Sequence, residues 1–265
     1  MTRQAISGLD REIERTKELL GSLTDHEWQA PSGCEGWRVQ DVVCHMAAVF
    51  QQIAAPDTID TGDASGAEAA AEVPVRARHD WTSEQVAAAY DEWAAKGRDA
   101  LAALQEPPVA DTVVPLSDLG SHPMHLLGNA IAFDHYCHLR HDIGAAVERA
   151  ARLPQDAEVL GPTVEWMLAG LPQMCADALG EAPRQAVNLV FDGPAAGTWC
   201  LTPGDAAAGP GWTIAAGADD DAPVVRTTAH DFVSWGTKRA DWRDSSTGDV
   251  SVPAVQAVLD AVNVI

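Results

Sequence analysis

Phe133-Asp134-His135-Tyr136-Cys137-His138-Leu139-Arg140-His141-Asp142 is the stretch whose reading decides the rest of the chain. From Pro123 to about Ala151 the sequence reads as one long helix, with Ser121 as N-cap and Pro123 in the first turn. Side chains three and four apart share a helix face, so Leu127, Ile131, Asp134, His138 and His141 form one line that begins apolar and turns polar. A carboxylate and imidazoles that continue a buried stripe need partners, because an unsatisfied buried polar group costs on the order of a few kcal/mol. A divalent metal satisfies all of them at once, and His45, far back in the chain, supplies a third donor. The reading is a helix-bundle metal site built from His45, Asp134 and His138, with His141 as an alternate ligand or as a residue holding one of the ligands. The plainer alternative is an intrahelical Asp134–His138 ion pair, with His45 bonded to a carbonyl. His135 and His125 are expected to face solvent, and Cys44 and Cys137 to be small core residues.

Working outward, the 265-residue chain has room for one large or two ordinary domains, and 46% hydrophobic with 21% charged residues fits a globular protein. Seventeen Lys plus Arg against 39 Asp plus Glu leave a net charge of −22, a field that repels nucleic-acid phosphates and anionic membranes. The expected partner is a small-molecule substrate, without nucleic acid or membrane, in a monomer or homodimer. No signal-peptide core and no 18-residue apolar run follow Met1, so a cytoplasmic location is expected. The five cysteines form no CxxC pair and read as free thiols.

Apolar residues at helical spacing predict helices over 4–23, over 39–53 with His45 at the edge of a wide stripe, and over 82–105 behind a Thr82/Gln85 capping box. Residues 55–80 are acidic, rich in Ala and Gly and poor in large apolar groups, which predicts a long mobile loop. Four amphipathic helices over 1–150 make a four-helix bundle. A helix over 155–180 leads into residues 151–265, where period-two alternation at Val187–Phe191, Thr198–Leu201, Trp212–Ile214 and Val224–Thr227 predicts strands. Helices are expected at Asp231–Gly236 and at Pro253–Val262, the second behind Ser251 as N-cap. The fold class is an α domain followed by a small α+β domain with an antiparallel or mixed sheet.

The segment Pro31-Ser32-Gly33-Cys34-Glu35-Gly36-Trp37-Arg38-Val39-Gln40-Asp41-Val42-Val43-Cys44-His45-Met46 resembles the opening of the mycothiol-dependent maleylpyruvate isomerase family. The resemblance continues through Asp134-xxx-His138 and through Phe232–Arg239, Trp242-Arg243 and Gly248-Asp249, so it covers nearly the whole chain. It implies a DinB-like metal-binding bundle, a sterol-carrier-like C-terminal domain, and zinc held by His45, Asp134 and His138. Two departures stand out: Asp134 occupies a place where the family has Glu, and His141 falls where the family has Asp three residues after the histidine.

The resemblance implies a metal- and mycothiol-dependent isomerase or S-transferase, in which a thiolate adds to a small electrophile. Arg239, also a candidate for cofactor binding, and Arg243 would then clamp a substrate carboxylate bidentately. The plainer reading pairs these arginines with acids such as Asp241 and Asp244. Two alternatives stand beside this function: a metal-dependent hydrolase or lyase that uses no thiol, and a non-catalytic small-ligand-binding protein.

Overall fold

The computed structural model describes residues 2–62, 66–204 and 211–264. It divides into two compact units, Met1–Pro154 and Gln155–Ile265. The first is helical: α1 (Thr2–Leu20), α2 (Asp25–Trp28), α3 (Val39–Ala54), α4 (Ala67–Ala77), α5 (Ser83–Ala103), α6 (Leu127–Cys137) and α7 (Glu148–Ala151), with a short hairpin of β1 (Val113–Pro115) and β2 (Ser121–Pro123) ahead of α6. The long helices form the bundle, α3 packing on α5 and α1 on α6. Its centre is α3, whose Val39, Val42, Val43, Met46 and Phe50 are wholly excluded from solvent. The Thr82 hydroxyl accepts from Gln85 N at 3.3 Å while Thr82 N donates to Gln85 Oε1 at 2.8 Å, so α5 starts at the box its sequence announces.

Three expectations need correction. The segment 55–80 contains a 3₁₀ turn at Pro56–Thr58 and the helix α4, although residues 63–65 of it lie outside the described part. The Ala- and Glu-rich composition that lacks apolar bulk has high helix propensity, and distant side chains supply the anchoring. Asp118 Oδ1 accepts from Ala67 N at 2.9 Å, Glu72 Oε1 accepts from Trp37 Nε1 at 2.7 Å, and Arg78 donates to Gln51 Oε1 at 2.6 Å. Ser121 is not an N-cap: it lies in β2, opposite Pro115. The single helix from 123 to 151 is in fact a 3₁₀ turn (Met124–Leu126), α6, a π-helical turn (His138–Ile143) and, after a break, α7. Gly144 N donates to Leu139 O at 3.1 Å, the i→i−5 bond of the wider turn. Glycine is needed there, because a Cβ on residue 144 would run into the Arg140 carbonyl.

The second unit opens with α8 (Ala157–Met174) and α9 (Ala176–Glu181), the expected helix over 155–180 broken at Cys175. Strands β3 (Val187–Asp192), β4 (Gly197–Pro203), β5 (Trp212–Ala216), β6 (Val224–Thr228) and β7 (Thr247–Gly248) form one sheet in the order β5-β4-β3-β6-β7. It is mixed: β3 runs parallel to β6, and the other pairs are antiparallel. Helix α10 (Ala229–Gly236) packs on the sheet and on α8, its Phe232 ring stacked on Phe191 at 4.7 Å, and α11 (Pro253–Ala261) packs on α9. The N-cap of α11 is Val252, with no side-chain bond, rather than Ser251. Buried Asn188 donates to Asp219 O and Ala222 O at 2.8 and 3.0 Å and so fixes the turn leading into β6. A helical unit followed by an α+β unit is the fold class the sequence predicts. Among the described residues no helix is long and apolar enough to cross a membrane.

Candidate metal centre

Three donors from two helices converge in the first unit. His45 comes from the middle of α3, Asp134 from the last turn of α6 and His138 from the first residue of the π turn. Their ligand atoms all lie within 4.8 Å of one another. His45 Nε2 is 3.2 Å and His138 Nε2 3.4 Å from the same oxygen, Asp134 Oδ1. Charge-assisted N–H···O bonds settle at about 2.7–2.9 Å, so both contacts are loose for hydrogen bonds. Ligands about 2.0–2.1 Å from a tetrahedral ion would stand about 3.3–3.4 Å apart, close to the observed spacing. The second polar atom of two of these groups, His45 Nδ1 and Asp134 Oδ2, is buried without a hydrogen-bond partner, Asp134 Oδ2 having only a 3.5 Å contact with His135 Nδ1.

Without an ion, a proton on His138 supplies the positive charge that buried Asp134 requires, the place a metal would take by displacing it. Burial alone would neutralise Asp134, but the charge on His138 and the contacts from His135, His138 and His45 outweigh it and hold the carboxyl well below its ordinary range. Burial likewise disfavours a charged His138, yet the Asp134 charge, together with bonds from Asp134, Asp142 and Cys34, keeps the imidazole well above its ordinary value.

Around these donors lie residues that the sequence alone did not single out. His138 Nδ1 is 2.8 Å from Asp142 Oδ2, a full-strength bond to a carboxylate that is almost wholly buried. With the proton on Nδ1, the Nε2 lone pair faces Asp134 and His45, the arrangement in which a carboxylate orients a metal-binding imidazole. Asp142 lies four residues beyond His138, a spacing that shares a helix face. His141 stays outside the convergent group, its ring 6.4 Å from Tyr136. The pair His138-xxx-Asp142 was visible in the sequence, and Gly144 was the signal for the altered turn. Trp37 packs its ring 5.4 Å from His45 and is itself held by Glu72 of α4.

Two further histidines are structural. His135, expected at the surface, is fully buried: Nδ1 faces Ile131 O and Nε2 faces Tyr90 Oη, each at 3.0 Å. His125 is half-buried, with Nδ1 2.9 Å from Ala110 O. Cys44 and Cys137 are buried, as core residues should be. In the second unit Arg243 is committed, donating to both carboxylate oxygens of Asp260 at 3.0 Å and to Asp241 at 3.2 Å while lying 4.1 Å over the Trp242 ring. Arg239 is exposed, its backbone N bonded to Ser234 O at 2.9 Å.

The profile of the mycothiol maleylpyruvate isomerase N-terminal domain matches residues 9–140, the span that carries all three converging donors. The N-terminal unit belongs to the mycothiol maleylpyruvate isomerase family. Among solved structures, the chain is similar to a mycothiol-dependent maleylpyruvate isomerase at 15% identity and a TM-score of 0.59, over 96% of this chain and 95% of that one. It is also similar to a histidine-to-alanine mutant of that enzyme, at 13% identity and a TM-score of 0.54 over the same shares. At these identities the likeness establishes a shared fold running through both units. No curated protein matches the chain.

Proposed function

We propose that this chain is a metal-dependent enzyme that adds the sulfur of a low-molecular-weight thiol, mycothiol or a close relative, to a small electron-poor substrate, acting as an isomerase or S-transferase. The observation that carries the reading is the spacing of His45, Asp134 and His138: both imidazole–carboxylate contacts are loose for hydrogen bonds and match edges of a tetrahedral ligand set, and all three ligand atoms lie within 4.8 Å of one another. These three residues would hold a divalent ion, zinc by the nature of a His₂Asp donor set. When bound, such an ion supplies an open position at which a thiol loses its proton near neutral pH.

The chain's own residues do the rest. Asp142 takes the Nδ1 proton of His138 as a hydrogen bond and so fixes the tautomer that leaves Nε2 free. Trp37 walls the site beside His45 and limits water there. Of the two arginines considered for a substrate carboxylate, Arg243 is bound by both oxygens of Asp260 and Arg239 is exposed. The substrate is a small molecule, and the −22 charge of the chain makes nucleic acid an unsuitable partner.

The test is metal analysis of the purified protein and of His45→Ala, Asp134→Ala and His138→Ala, alongside turnover of maleylpyruvate with and without mycothiol. Each variant is expected to lose bound metal and activity together. Turnover that survives complete removal of thiol would refute the thiol dependence, and metal content indifferent to all three substitutions would refute the site.

A further inference from the structure

His138 lies between two carboxylates, with Nε2 toward Asp134 and Nδ1 toward Asp142. On the Asp142 side there is a third donor. Cys34, His138 and Asp142 also present ligand atoms that lie within 4.8 Å of one another. The loop bearing Cys34 is built onto this spot: Gly33 N donates to Asp142 O at 2.8 Å, Cys34 N donates to Ser32 Oγ at 3.1 Å, and Trp37 N donates to Cys34 O at 3.0 Å. Residue 33 has no room for a side chain, since a Cβ there would lie 3.0 Å from Asp142 Cα and 3.1 Å from Asp142 Oδ1. Cys34 is half-exposed while Asp142 is buried, so an ion arriving from solvent meets the sulfur first.

We propose that Cys34, His138 and Asp142 form a second, thiolate-bearing cation position that shares His138 with the first and excludes it. The inference rests on the proposed metal centre only in the shared imidazole. A neutral imidazole has one lone pair. With the proton on Nδ1, His138 serves the His45–Asp134 set; with the proton on Nε2, donated to Asp134, its lone pair serves Cys34 and Asp142. The ligand class follows from the donors. A sulfur, a nitrogen and a carboxylate suit thiophilic d¹⁰ ions such as Zn²⁺ and Cd²⁺ and do not suit Mg²⁺ or Ca²⁺. A thiolate and a carboxylate together neutralise a divalent ion, whereas the His₂Asp set leaves one positive charge over. On binding, the sulfur–ion bond forms as the thiol proton leaves to solvent, and no oxidant or reductant is needed.

Cadmium is the probe, because a Cys–Cd bond gives a charge-transfer absorption in the ultraviolet that His and Asp ligands do not. The measurements are Cd²⁺ titrations of the full chain, of Cys34→Ala and Cys34→Ser, and of His45→Ala, with circular dichroism confirming that each variant folds. The band is expected in the unmodified chain, stronger in His45→Ala where the competing set is disabled, and absent from both Cys34 variants. In the His45→Ala background, removing Cys34 is expected to weaken Cd²⁺ binding by about tenfold or more. Cadmium bound without a thiolate band, in the unmodified chain and in His45→Ala alike, would overturn this position while leaving the His45–Asp134–His138 centre standing. A band that persists without Cys34 would also overturn it, and the absence of any bound cadmium would remove both sites.

Discussion

Arg140→Met tests whether the π turn is clamped from behind. Arg140 and Glu12 are both fully excluded from solvent and meet across α1 and the turn, at 2.6 Å (Nη1 to Oε2) and 3.0 Å (Nη2 to Oε1). Arg140 Nη2 also donates to Pro154 O at 2.6 Å, and its guanidinium lies 4.0 Å over the Tyr136 ring. Methionine replaces the stem but none of these donors, and it leaves the Glu12 carboxylate buried with Arg15, at 2.8 Å, as its remaining ion-pair partner among the described residues. Removing one partner of a buried pair costs about 3–5 kcal/mol, most of it from the charge left behind. At about 1.4 kcal/mol per decade, the opening constants of the buried amides of α1 and of 138–143 are expected to rise by about two to three and a half decades. Native-state hydrogen exchange reads those amides without interference from the second unit. The double variant Glu12→Leu/Arg140→Met, in which no charge is stranded, is expected to recover most of the loss. A single variant whose amides exchange within a factor of about five of the parent, or a double variant no better than the single, would refute the clamp.

Asp142→Asn keeps the shape but loses the charge behind His138, so metal affinity measured by chelator competition is expected to fall about 10–100-fold while the protein stays folded. Tyr90→Phe strips the hydroxyl from buried His135 Nε2 and is expected to cost about 1–3 kcal/mol in urea denaturation followed by α5 and α6 amides. Glu27 is lowered from 4.5 to about 2, first by its bond with Arg149 and then by the Thr24 backbone N–H. A group whose folded value is depressed stabilises above its unfolded value, so this contribution is whole above pH 4.5 and lost as pH falls toward about 2. Glu27→Gln is expected to flatten the acid limb of the stability profile in that window, and an unchanged limb would contradict the assignment.

Helices α3 and α5 and strands β3 to β6 were legible because each carries its own period, and α5 carries its cap as well; β7, two residues long, has none to show. What escaped reading depends on partners distant in the chain. Helix α4 has little apolar surface and is fixed by Asp118, Trp37 and Gln51, none of which its own residues announce. His135 looked outward because it is rotated from the Asp134 line, but α6 is enclosed on nearly every side. The convergence of His45 with Asp134 and His138 was legible from one helical spacing and one edge histidine. Asp142 stands four residues after His138, a spacing as legible as that of Asp134 and His138, but the family pattern pointed to residue 141; that the turn closes at five residues was marked only by Gly144.

Five of the six residues from His138 to Ile143, all but half-buried His141, are divided among three neighbourhoods. His138 and Asp142 face the candidate centre, Leu139 and Ile143 lie wholly in the apolar core, and Arg140 is locked to Glu12. Nothing in that turn can yield by itself. Its compliance is that of the surrounding core, so the distance between the imidazole and its carboxylate should breathe only when the domain breathes, and an ion held there would sense the rigidity of the whole helical unit.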